Sequence, residues 1–122
     1  MNIQVNKHQL ERVVIKWLNN HFGNLTQKKH KYYPDSVFYV NSNDKVMMEY
    51  NPEYENFYID YNHIWGKVES LFHLNYHVIH SIMKVWLKET YKLEGVRPMD
   101  NDFNWPDGLI WLEETYKLKN RI

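Results

Sequence analysis

The chain has 122 residues, 43% of them hydrophobic and 25% charged, with a formal net charge of zero. That is enough for one domain with its own core, in which about two-thirds of the unfolded surface is buried. The absence of cysteine excludes disulfides and thiolate zinc sites, and no apolar run approaches the roughly 20 residues that span a bilayer.

The first element in chain order is a helix with a full set of start signals. Asn6 can cap it, Gln9 stands at the reciprocal capping-box position, and Val5 with Leu10 forms a hydrophobic staple. Leu10, Val13, Val14, Trp17 and Leu18 recur at helical spacing, and Gly23 stands where a left-handed residue ends a helix. The N-terminal stretch MNIQVNKHQLERVV has no hydrophobic segment of the signal-peptide kind, which points to a cytoplasmic protein.

After TQKKHKYYP, read as a basic-aromatic loop, the pattern changes. SVFYVN, KVMMEYN and NFYIDY are short and rich in aromatic and β-branched residues. Asn41-Ser42-Asn43-Asp44 supplies a tight hairpin connection and Asn51-Pro52-Glu53 a looser one. Val46, Met48 and Tyr50 alternate as the apolar side of a half-buried strand. The expectation is a three-stranded antiparallel meander.

Helical spacing returns from Tyr61 to Leu93. In one unbroken helix, Ile64, Val68, Leu71, Phe72, Ile79, Ile82, Met83 and Trp86 would share a stripe with Asn75 buried in its middle. An unpartnered buried amide costs about 1–3 kcal/mol. The cheaper reading makes Asn75 the N-cap of a second helix, giving a helix-turn-helix pair over about 62–73 and 76–92, stopped by Gly95 and Pro98. MDNDFNWPDG reads as a loop, and Asp107 caps a last helix over about 108–119. The order predicts a single α+β domain over 1–122, with an N-terminal helix, the meander, the helix-turn-helix pair and a C-terminal helix packed on one face of the sheet.

The words WLKETYKL (86–93) and WLEETYKL (111–118) nearly repeat. Sheet and loop separate the surrounding segments, so this is not a solenoid, which stacks at least three whole units. Each word describes a helix with two apolar strips. Trp, Thr and Leu at its first, fifth and eighth positions form one, and Leu and Tyr at its second and sixth form the other. Trp111 and Leu112 therefore cannot both face one core, and Trp and Tyr are enriched at interface hot spots. Trp105, Trp111 and Tyr116 are the candidate partner-binding residues, for a protein partner or a homodimer.

Charge is uneven: residues 1–34 carry six Lys/Arg against one acid, and residues 35–60 one Lys against six acids. The basic third either packs beside the acidic middle or presents a face to an anion. Lys28, Lys29 and Lys31 interleave with Tyr32 and Tyr33, the composition that holds phosphates and stacks bases. His77, Lys84 and Lys88 line one side of the second helix of the pair, where a DNA reader would touch the major groove. A nucleic-acid binder is thus the alternative reading. However, a lysine stripe is also the ordinary wet face of an amphipathic helix.

Two groups invite a metal. Glu69, His73, His77 and His80 would align on an unbroken helix, but the break at Asn75 separates them. Asp100, Asp102 and Asn104 have the spacing that opens a calcium loop, yet Trp105 and Trp111 stand where such a loop needs Gly and Glu. No nucleophile elbow or glycine-rich phosphate loop is present. No catalytic residue, metal site or cofactor is assigned, and a non-enzymatic binding protein is expected. The absence of alanine suits the AT-rich coding of a phage or viral accessory or inhibitor protein.

Overall fold

The computed structural model describes residues 6–30, 33–102 and 105. Its first helix, α1 (Lys7–Phe22), starts as the sequence dictates. The Asn6 side chain accepts from the Gln9 N–H at 2.8 Å, and the Gln9 side chain accepts from the Asn6 N–H at 3.1 Å. The staple residue Val5 lies outside the described residues. The helix ends differently from expectation: Gly23 is right-handed, with φ −77° and ψ −9°. A Cβ at position 23 would stand 2.5 Å from the Asn19 carbonyl oxygen. Close approach, not left-handedness, is what glycine provides there.

Among the described residues the sheet has five strands, not three. They are β1 (Thr26–His30), β2 (Tyr33–Val40), β3 (Val46–Asn51), β4 (Asn56–Asp60) and β5 (Arg97–Asn101), ordered as numbered. β1 to β4 form an antiparallel meander, and β5 lies parallel to β4. The central three strands match SVFYVN, KVMMEYN and NFYIDY. β1 and β5, read as loops, are the two edges. Their sequences, TQKKH and RPMDN, carry the lysines and the proline that edge strands tolerate.

Local chemistry fixes the turns. The Asn41 side chain accepts from the N–H groups of Asn43 and Lys45 at 2.9 and 3.1 Å, with Asp44 left-handed at φ 59°. Asn51 accepts from the Glu53 N–H at 3.1 Å, and Glu55 takes φ 55°. The register slips between Tyr39–Met48 and Val40–Val46, so Met47 is an extra residue on β3. This bulge overturns the expected alternation. Met47 and Met48 both join the main core, while Val46 is sent to the opposite face with Phe38 and Val40.

β4 leads into a π-helical turn, Tyr61–Trp65, then α2 (Gly66–Phe72) and α3 (Tyr76–Tyr91). The Asp60 carboxylate caps the turn by accepting from the His63 N–H at 2.8 Å. His73 leaves α2 in left-handed backbone at φ 54°, and Asn75 caps α3, accepting from the Val78 N–H at 3.0 Å. The break at Asn75 is therefore where the cost argument put it. α3 stops at Lys92, left-handed at φ 59°, ahead of Gly95.

The three helices and one sheet face enclose the main core, which contains Ile15, Leu18, Tyr39, Met48, Phe57, Ile59, Ile64, Trp65, Ile79, Met83, Trp86 and Leu87. Burying each of the aliphatic and phenyl side chains contributes about 1.5–3 kcal/mol. The C-terminal helix read over 108–119 lies outside the described residues.

Candidate functional site

The first copy of the repeated word shows how its two strips work. Trp86, fully buried, donates its indole N–H to the Asn19 side chain at 2.9 Å, and the Thr90 hydroxyl donates to the same oxygen at 2.8 Å. That strip ties α3 to α1. On the other strip, the Tyr91 ring meets Tyr39 of the sheet edge-on at 5.1 Å. The Tyr91 hydroxyl donates to the Phe22 carbonyl and accepts from the Leu25 N–H, closing the α1–β1 corner. Burial pushes the Tyr91 phenol up to about 12. The word is thus a helix wedged between two surfaces. Its second copy, with Trp111 and Tyr116, lies outside the described residues.

Trp105 lies on the sheet face turned away from the helices. Its indole packs against Phe38, Val40 and Val46 and donates to Glu49 Oε1 at 2.9 Å, while the Ser36 hydroxyl donates to Glu49 Oε2 at 2.8 Å. Its polar atom and one ring face are therefore engaged within the chain.

The basic-aromatic residues are dispersed by pairing. Lys28 meets Asp44 at 2.7 Å across the β1–β2–β3 ribbon, one contact between the basic first third and the acidic middle. Lys29 donates to the Pro34 carbonyl at 3.1 Å. Tyr33 is exposed beside His30, and Lys31 and Tyr32 lie outside the described residues. On α3, His77 and Lys84 are exposed, and Lys88 pairs with Glu94 at 3.4 Å. Lys84, Lys88, Leu93 and Glu94 line an open depression.

The acid and histidine groups do not converge. The left-handed backbone of His73 and the extended backbone of Asn75 turn the Glu69–His73 line away from His77 and His80, and Glu69 accepts instead from the Tyr61 hydroxyl at 2.8 Å. That bond raises the Tyr61 pKa. Partial burial, with Lys84 and His77 nearby, lowers that of His80. Asp100 is a β5 residue paired with Ile59, not part of a free loop, and Asn104 lies outside the described residues. Among the described residues, no set of three or more His, Asp or Glu side chains is arranged to hold a metal ion. No described helix is long and apolar enough to cross a membrane.

One Asp–His pair escaped the sequence reading. The buried Asp60 carboxylate contacts His63 Nδ1 at 2.6 Å while capping the same residue's N–H. This orients an imidazole that is 46% exposed. The only sequence signal was an Asp three residues before a His at a helix start.

A larger surface also escaped it. Val13, which recurs at helical spacing in α1, and Leu71 are 53% and 55% exposed. Val13 stands one turn before Trp17, and Leu71 adjoins Phe72. The half-buried rings of Trp17 and Phe72 meet edge-on at 6.3 Å, with His21 stacked on Trp17 at 4.6 Å. The result is an apolar seam between α1 and α2. Leu71 stands near the end of the short helix α2, in which Val68 is the buried residue and Phe72 is half-buried. Val13 sits at the margin of the stripe whose centre is Val14, Ile15 and Leu18. No protein-family model, curated protein or solved structure matches this chain.

Proposed function

We propose that the protein acts by protein–protein contact, through the apolar seam of α1 and α2. The observation that carries this reading is the exposure of Val13 and Leu71, each more than half in water, beside the half-buried Trp17–Phe72 pair. Singly exposed aliphatics are common, but a grouped apolar surface around an aromatic pair is what interfaces use. A partner of matching chemistry presents an apolar helix stripe or strand face, and a second copy of the chain offers one. Nucleic acid draws less support, because Lys28, Lys29 and Lys88 already have partners within the chain.

The test compares the parent protein with a Val13→Lys, Leu71→Lys double variant, in sedimentation and in capture from an extract of the native host. Both positions are exposed, so the fold should keep its stability to within about 0.5 kcal/mol per site. Self-association or specific capture by the parent should be lost in the variant. Retention of either one by the variant removes the seam as the contact surface.

A further inference from the structure

Six acidic residues fall between positions 35 and 60, and the fold sorts them into two groups. Asp44 pairs with Lys28, Glu49 accepts from Ser36 and Trp105, and Asp60 caps the π-helical turn. Asp35, Glu53 and Glu55 are exposed, and no described side chain pairs with their carboxylates. These three stand at one end of the sheet. Glu53 and Glu55 belong to the β3–β4 turn, which the Asn51–Asn56 pair closes. Asp35 lies on β2, two residues before Val37, the cross-strand partner of Tyr50.

Between the two glutamates stands Tyr54, 58% exposed, and no described residue bonds its hydroxyl. The turn that carries it is fixed on both legs. The Asn51 side chain accepts from the Glu53 N–H at 3.1 Å, and the Glu55 N–H donates to the Pro52 carbonyl at 3.4 Å. From β5, the Arg97 N–H donates to the Glu55 carbonyl at 2.8 Å and the Arg97 guanidinium to the Tyr54 carbonyl at 3.2 Å. A ring on fixed backbone loses little freedom on binding, and tyrosine has only two side-chain torsions to immobilise. Glu55 adds a second signal. It holds φ 55°, where glycine would be unstrained, and such strain persists where the side chain has a use. Solubility alone explains the carboxylates, but not the bare ring set between them.

We propose that the β3–β4 turn is a second contact surface, seating Tyr54 against an apolar surface of a partner protein bordered by Arg or Lys side chains. The partner's apolar groups take the ring. Its cations meet Glu53, Glu55 and Asp35, and one can lie over the phenol face. An isologous pair of copies would bring these like charges together, so the partner is a different protein. The turn shares no residue with the α1–α2 seam, and this contact does not depend on that one.

The probe is a displayed library of random peptides, selected on the immobilised full-length protein. Calorimetry then compares the selected peptides on the parent and on variants at exposed positions. Peptides that carry Arg or Lys beside apolar residues should bind the parent and lose about tenfold or more with Tyr54→Ser. They should lose about fivefold with the Glu53→Gln, Glu55→Gln double variant and weaken as salt rises. Their affinity for the Val13→Lys, Leu71→Lys variant should be unchanged. Glu55→Gly separates binding from folding, since it should weaken binding while raising the midpoint of chemical denaturation. A selection that yields no Tyr54-dependent peptide overturns the proposal. So do Tyr54-dependent peptides that carry no cation, or that bind the glutamine variant as tightly as the parent. Peptides lost only with the Val13→Lys, Leu71→Lys variant would support the seam and overturn this surface.

Discussion

Asn19 and Trp86 are far apart in sequence yet share the hydrogen bond that locks α3 onto α1, at 2.9 Å, with Thr90 on the same acceptor at 2.8 Å. Asn19→Ala leaves a fully buried indole N–H without an acceptor, a loss of about 1–3 kcal/mol. Thr90→Val removes only the outer donor and should cost less. Urea titrations of the single and double variants should show the two changes to be non-additive, as expected of one shared acceptor. An Asn19→Ala protein as stable as the parent would remove this bond from the account.

Gly23 gives a prediction of sign. It has right-handed backbone, where replacing glycine by alanine ordinarily stabilises by about 0.4–1 kcal/mol through the unfolded chain. Here the new methyl would meet the Asn19 carbonyl at 2.5 Å, so Gly23→Ala should lower the midpoint of thermal unfolding. A rise would mean that the α1–β1 corner relaxes freely.

The opposite sign is expected at Glu55. This residue holds φ 55° in the β3–β4 turn, a conformation that costs a non-glycine residue about 1–2 kcal/mol. Its backbone groups bond to neighbours, the N–H to Pro52 and the carbonyl to the Arg97 N–H. Glu55→Gly should therefore stabilise the protein by roughly 0.5–1 kcal/mol after the entropy of the freer unfolded chain is counted. Chemical denaturation would show it as a higher midpoint with an unchanged slope.

Tyr91 predicts an alkaline limit. Its phenol is raised by burial from 10.0 to about 12, and burial raises Tyr39 as well. Below pH 10 both states keep the proton and nothing is lost. Between pH 10 and 12 the unfolded chain ionises first, so stability falls as pH rises through that window and levels off above it. An absorbance titration of the phenolates should show a late step that Tyr91→Phe removes. If that variant leaves the titration unchanged, Tyr91 is not the buried phenol.

Much of this fold is legible in the sequence where chemistry is local. The Asn6–Gln9 box, the Asn75 cap and the Asn41 turn are each set by one side chain bonding to backbone two to four residues away. What escaped depends on distant partners. β1 and β5 have edge-strand composition and become strands only because β2 and β4 offer open hydrogen-bonding sides. The Met47 bulge inserts one residue into a regular count and moved Val46 off its predicted face. The site was harder still, because Trp17 and Phe72 meet only after the whole meander has been laid between them.

The parallel pairing of β5 with β4 has a consequence for synthesis. While a nascent chain ends near Tyr91, β4 has β3 on one side and bare backbone amides and carbonyls on the other. Such a strand is a template for any neighbouring chain. Only when Arg97–Asn101 clears the ribosome is that side capped, by a strand whose Pro98 cannot extend the ladder outward. The open side of β4 is therefore exposed on the ribosome until residues 97–101 have emerged.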